Sequence, residues 1–326
     1  MEKRIKMKKK LIFLTSMMAF VLSLMMVLGS CAMLQRPGDM FVYDAGNLRN
    51  VMRISDDSIP KSWLSVSFDG QQLLYAEQES NFDPDRNTNF NTSRIIYLRN
   101  AMVFTKTPLV DSYNFAPAWY ENGQNFVYIT RNQNNTTQLV RSSVTGGRTF
   151  ITRNPISNGG WDNNPSIRND IIALDAFINN QRQIVTVRDN GSELTVLGRG
   201  MQPSWHPTEN KLVFIRDGGI WEMNTENAQV TQLLAVSTDD QRNGLVCRRP
   251  SYSRDGNWII FTRWVRVGNR TFQHLFVMDA EGNRRTELAG GNVNIWSPAW
   301  GAGNEVFFIS NAGNRDEIWS ALVTMH

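Results

Sequence analysis

The chain has 326 residues, 41% hydrophobic and 20% charged, enough for one large all-β domain or two smaller ones. Its formal charge of +4 lies in the first 30 residues, which hold six basic side chains and one acid, whereas residues 31–326 hold 28 basic and 29 acidic ones. A nearly neutral body has no electrostatic footprint for DNA or RNA, so nucleic acid is not expected as a partner.

The N-terminus reads as an export signal. A basic stretch, MEKRIKMKKK, precedes the apolar run LIFLTSMMAFVLSLMMVL and then Gly29-Ser30-Cys31. An uncleaved anchor is the alternative, since a run of this length is at the lower limit for crossing a bilayer. Leu28-Gly29-Ser30-Cys31 resembles a lipobox, which implies cleavage before Cys31 and lipidation of its thiol. Acyl chains then hold the domain on a membrane, at ~0.8 kcal/mol per buried methylene. Ala32 after the cysteine, with no Asp there, resembles lipoproteins sorted to the periplasmic side of an outer membrane. With Cys31 acylated, Cys247 has no intrachain partner, and the domain must hold together by its core.

After the leader, MFVYDAGNLRNVMRIS at 40–55 has strand character but belongs to no repeat of its own. Six related units follow. They are SVSFDGQQLLYA at 65–76, PAWYENGQNFVYITR at 117–131, the degenerate PSIRNDIIALDAF at 165–177, PSWHPTENKLVFI at 203–215, PSYSRDGNWIIFTR at 250–263 and PAWGAGNEVFFI at 298–309. Their tips fall near Gly70, Gly123, Asp170, Asn210, Gly256 and Gly303, at intervals of 53, 47, 40, 46 and 47 residues.

Each unit reads as a hairpin. Pro-x-aromatic opens a strand, the tip tolerates positive φ, and a continuous apolar run forms a strand buried on both faces. A third strand and its turn come next, as in HLFVMDAEGNRRTEL at 274–288. The aromatics Trp221, Phe276 and Trp319 recur there at one position and are assigned to the core. Four strands at a period of ~45 residues predict an all-β fold, a six-bladed β-propeller of four-stranded antiparallel blades. A two-sheet sandwich would not repeat such a signature. The last unit stops after DEIWSALV at 316–323, so the N-terminal segment is expected to supply its fourth strand and close the ring.

The repeat, best seen in PSYSRDGNWIIF with LFVMDAEG, resembles the TolB-type propeller repeat over about residues 60–326. The resemblance implies a periplasmic propeller, although too few residues precede the first unit for the α/β domain that TolB carries. The resulting organisation is a signal peptide at 1–30, a lipidated tether with a closing strand at 31–58, and the propeller at 59–326.

Catalytic motifs are scarce. There is no Gly-x-Ser-x-Gly elbow. Ser253-Arg254-Asp255-Gly256-Asn257-Trp258 resembles a sialidase turn, but Gly directly follows Asp and the spacing suits a plain hairpin. His206, His274 and His326 read as surface or turn residues without metal-ligand spacing. Cys247 beside Arg248 and Arg249 could be an activated thiol, but a structural cysteine is the favoured reading. Asp83, Asp85, Asn87 and Asn89 alternate as in a calcium loop, yet Thr88 and Arg94 replace the Gly and the acid such a loop needs. No metal, cofactor or catalytic residue is assigned.

The loops entering the innermost strands remain. They carry Trp161, Asp162, Arg248, Arg249, Asn294 and Trp296, and Trp and Arg are favoured at binding hot spots. These residues are expected to converge on one mouth of the channel, unless Trp161 and Trp296 pack between blades. The function expected is a monomeric, membrane-anchored envelope scaffold docking a protein or peptide. The alternative is a glycan-active lyase or glycosidase.

Overall fold

The computed structural model describes residues 41–42, 48–55, 57, 59–79, 92–99, 105–110, 114–131, 136–152, 157–158 and 164–324. Among these, the only α-helix is the short α1 (Thr238–Arg242). All other long elements are strands, and every strand pairing is antiparallel.

Four sheets take their strands in chain order. They are β3–β6 (Lys61–Val66, Gln72–Glu79, Thr92–Arg99, Thr105–Val110), β7–β10 (Asn114–Trp119, Asn125–Arg131, Thr136–Ser143, Arg148–Phe150), β12–β15 (Ser166–Arg168, Ile171–Ile178, Gln181–Arg188, Thr195–Arg199) and β16–β19 (Met201–Trp205, Lys211–Arg216, Gly219–Asn224, Val230–Leu234). In the second of these, β11 (Ser157–Asn158) also pairs with β9 beside β10. The fifth sheet, β20–β23 (Cys247–Tyr252, Trp258–Val267, Arg270–Asp279, Thr286–Gly290), gains β1 (Phe41–Val42) on its outer edge. The last has three strands from the C-terminal region, β24–β26 (Ile295–Trp300, Glu305–Ser310, Glu317–Val323). Its fourth strand is β2 (Leu48–Arg53), paired from Leu48↔Val323 to Arg53↔Trp319.

The first strand of each sheet touches the first strand of the next, and β24 touches β3, so the sheets form a closed circle. This is a β-propeller with four-stranded antiparallel blades. The second strands explain the circle. Leu73 to Ala76, Phe126 to Ile129, Leu212 to Ile215, Ile259 to Phe261 and Val306 to Ile309 are all at most 1% exposed. A strand apolar on both faces needs a sheet on each side, and only a ring supplies that for every blade. The apolar clusters accordingly straddle the seams. Leu64 and Tyr75 meet Phe307 and Ile318 across the last and first blades. Ile184 meets Phe214 across the third and fourth, and Ile215 meets Phe261 across the next seam. Of the outer strands, β10 is exposed throughout, and β15 and β19 hold no buried residue.

The tips take the backbone that their residues allow. Gly70, Gly123, Gly256 and Gly303 have φ between +56° and +80°, and Asp170 has φ +61° in the shortened third turn. Asp69 and Asp255 organise equivalent turns. Ser67 Oγ donates to Asp69 Oδ1 at 2.5 Å and accepts from the Gln72 N–H, and Ser253 does the same with Asp255 and Trp258. The sialidase-like stretch is thus a hairpin turn.

The junction of the chain's two ends is polar and buried. The Lys61 ammonium, with no exposed side-chain surface, lies 2.5 Å from Asp57 and 3.7 Å from Glu317. It also donates to the carbonyls of Ile59 and Asp316. Ser55 Oγ donates to Glu317 Oε2 and accepts from the Ile318 N–H.

The histidine reading needs correction in part, and the structural reading of Cys247 holds. His206 lies in its hairpin turn as expected, but neither it nor His274 is a surface residue, at 6% and 2% exposed. His206 Nδ1 accepts from the Thr208 and Glu209 N–H groups, and burial depresses the imidazole pKa. His274 bonds Glu287 at 2.5 Å and the Gly291 carbonyl at 2.9 Å. Cys247 is the structural cysteine favoured in the sequence, and its arginine neighbours do not activate the thiol. It is fully buried, and burial pushes its pKa up to about 12.

Candidate functional site: the axial cavity

The inner strands share a local feature. Trp63, Ala116, Gln202, Arg249 and Ser297 occupy equivalent positions in five of them, each with φ between +49° and +55°. The pairing register breaks at that point in all five. Each is therefore a β-bulge, and in four of them the next residue is Pro117, Pro203, Pro250 or Pro298. A proline without an N–H costs nothing where the ladder is already broken.

Bulges free backbone donors, and the neighbouring blade takes them. The Trp63 N–H donates to Ser297 Oγ at 3.1 Å, and the Arg249 N–H to Gln202 Oε1 at 2.8 Å. The Gln202 N–H donates to Asp175 Oδ1 at 3.1 Å, while Arg182 holds the other oxygen of this buried carboxylate at 2.6 Å. Left-handed backbone at non-glycine residues is strained, and such strain gathers where a structure shapes a site.

These strands surround an axial cavity of about 230 Å3. Its wall is aromatic, with Trp63, Trp119, Trp205, Trp300 and Tyr252, and it carries three arginines against one carboxylate, Glu121. Arg249 lies at the bulged end, its guanidinium 5.9 Å from the Trp63 ring. Arg168 and Arg254 lie at the hairpin end. Arg168 stacks 4.8 Å over Trp205 and donates to the Glu209 carbonyl and to Asn210 Oδ1. Arg254 reaches across to the carbonyls of Val66, Ser67 and Trp300 at 2.9, 3.0 and 3.3 Å, with Phe68 beneath it at 5.1 Å. Burial lowers the pKa of both guanidinium groups.

The residues singled out in the sequence separate here. Trp161 and Asp162 lie outside the described residues, as do Cys31, His326 and the Asp83–Asn89 loop positions. Arg248 and Arg249 are on β20, and of the two only Arg249 lines the cavity. Asn294 accepts from the Gln273 N–H with Oδ1 and sits just before β24. Trp296 is half-buried on the seam between the last and first blades, where its indole N–H donates to the Lys61 carbonyl at 3.1 Å. The core assignment of the third-strand aromatics fits Phe276, stacked on Phe261, while Trp221 and Trp319 are half-buried against the seams. Arg168 and Arg254 were missed as axial residues. The signal available was their place at the end of the inner strand, where other units carry Phe68 and Glu121. Among the described residues no three His, Cys, Asp or Glu side chains converge as metal ligands would.

No family model and no curated protein sequence matches this chain. Solved structures do match in fold. TolB from Acinetobacter baumannii aligns at 15% identity and TM-score 0.54, over 80% of this chain and 66% of that one, just under two thirds of its length. A TolB-type protein from Agrobacterium tumefaciens aligns at 12% identity and TM-score 0.56, over 85% and 97%. Oligogalacturonate lyase from Vibrio parahaemolyticus aligns at 13% identity and TM-score 0.55, over 88% and 96%. At such identities the likeness speaks for the fold alone, and in fold this chain is a TolB-like β-propeller.

Proposed function

We propose that this chain is a lipid-anchored envelope protein that docks a protein or peptide partner at the bulged mouth of a six-bladed ring. Its place is the periplasmic side of the outer membrane, with Cys31 as the lipid attachment point. The observation that carries the docking reading is Arg249, a half-buried arginine over an indole on a ring of bulges at the mouth. Trp and Arg in part-desolvated positions are the side chains that anchor interfaces. Trp161, Asp162, Arg248, Asn294 and Trp296 form the wider rim in this proposal. The cavity wall carries one carboxylate where a glycosidase needs two flanking the scissile bond, and this favours docking over hydrolysis among the described residues.

Mild crosslinking of the native lipoprotein followed by pull-down tests the reading. Arg249→Ala is a clean variant, because Ala116 occupies the equivalent bulge at nearly the same φ. It is expected to keep the fold and to weaken partner capture by ~2 kcal/mol or about thirtyfold. Capture unchanged in the folded variant refutes docking at this mouth. Cys31→Ala is expected to lose lipid labelling and to release the domain from membranes, and retention at high salt would show a true membrane span instead.

A further inference from the structure

The axial cavity holds more positive charge than its surroundings balance. Arg168 is only 6% exposed, and neither it nor Arg254 forms an ion pair among the described residues. The acids that act on them do so at longer range: Glu121 and Glu226 on Arg168, Asp69 and Glu121 on Arg254. Carbonyl oxygens satisfy part of each guanidinium, but a carbonyl dipole does not neutralise a cation. A buried charge without a counter-charge costs several kcal/mol.

Some of the lining residues also hold unpartnered donors. Arg168 Nε, Arg254 Nε, Trp63 Nε1 and Trp205 Nε1 are buried donors on cavity-lining residues, and none finds an acceptor. What suits two cavity-lining guanidinium groups without an ion-pair partner is a group that only accepts, and a carboxylate does so with two oxygens. The wall between the arginines is indole and phenyl surface, which offers a face for a ring.

We propose that the axial cavity is a binding site for a small organic carboxylate, with the Arg168 and Arg254 guanidinium groups at its hairpin end as counter-charge and the lining indoles against the ring or apolar face of the ligand. The site is separate from macromolecular docking at the mouth and goes beyond that reading. It stands or falls on the chemistry of the cavity alone.

Benzoate is a suitable probe and benzamide its neutral counterpart. At constant ionic strength, indole fluorescence and thermal unfolding of the whole chain report binding, since four tryptophans line the cavity. Benzoate is expected to quench saturably and to raise Tm, with benzamide at least tenfold weaker. Arg168→Gln and Arg254→Gln, each checked for folding, are expected to weaken benzoate tenfold or more. Arg249→Ala distinguishes the two proposals, because losing a partner there while benzoate still binds leaves this one standing. Equal binding of benzoate and benzamide, or binding of neither to the unmodified chain, overturns it. Unchanged benzoate affinity in both folded glutamine variants overturns it as well. Sulfate binding as tightly as benzoate would overturn the aromatic half of the assignment.

Discussion

Gly70 shows how little room one residue can have at a blade seam. Its φ is +73°, and a Cβ added there would lie 2.5 Å from the Ala302 backbone nitrogen in the last blade. The neighbour is main chain and cannot swing away. Gly70→Ala is therefore expected to cost ~2–4 kcal/mol, combining left-handed strain with overpacking, and urea denaturation measures it. His206 makes a different claim. Its imidazole is held neutral by burial, below its ordinary 6.5, while the unfolded chain protonates normally. Stability from this group is thus complete above pH 6.5 and is lost as pH falls toward the depressed folded value. His206→Asn keeps an acceptor for the turn N–H groups and is expected to flatten the Tm decline below pH 6.5. A decline as steep as in the unmodified protein would assign the acid sensitivity elsewhere.

At the scale of the element, β2 does two jobs. It completes the last blade, and it delivers Leu48, Ile54 and Ser55 to buried positions. The two apolar side chains bring ~1.5–3 kcal/mol each. Ser55 also bonds Glu317, a carboxylate that is 1% exposed. Removing residues 48–55 is expected to destabilise the domain by ~4–7 kcal/mol and to broaden the unfolding transition, read by denaturant titration with two probes. An unchanged midpoint would mean that β26 does not need its edge covered.

The inner strands explain why the candidate site was harder to read than the fold. The second strands announce themselves, because Phe126 to Ile129 or Val306 to Ile309 need no alternation to be recognised. Side-chain direction on an inner strand depends on alternation, and a bulge at Arg249 or Ser297 adds one residue and reverses it. Arg248 and Arg249 are therefore equivalent in sequence, although only one lines the axis. Asn294 and Trp296 each also make a hydrogen bond to main chain of the neighbouring blade, a contact the local sequence does not show. The turn aspartates were legible because Asp-Gly tips have a local chemistry. Arg254 beside them was not, since its carbonyl partners at Val66 and Trp300 are supplied by other blades.

For the whole molecule, the pairing of β2 with β26 sets an order of events during synthesis. The strand made near the beginning of the chain waits for a partner made near its end. The four chain-ordered strands of every other blade can form consecutive hairpins as they emerge, whereas this blade joins residues 48–53 to residues 295–323, and only β1 on the edge of the fifth blade waits as β2 does. Such a non-local contact carries the largest loop-closure entropy and forms slowly. Until β26 is made, a nascent propeller of this kind holds β2 unpaired and open to association with other chains. A strand made early in synthesis is the last to find its place, so a chain released before β26 is complete has no way to close.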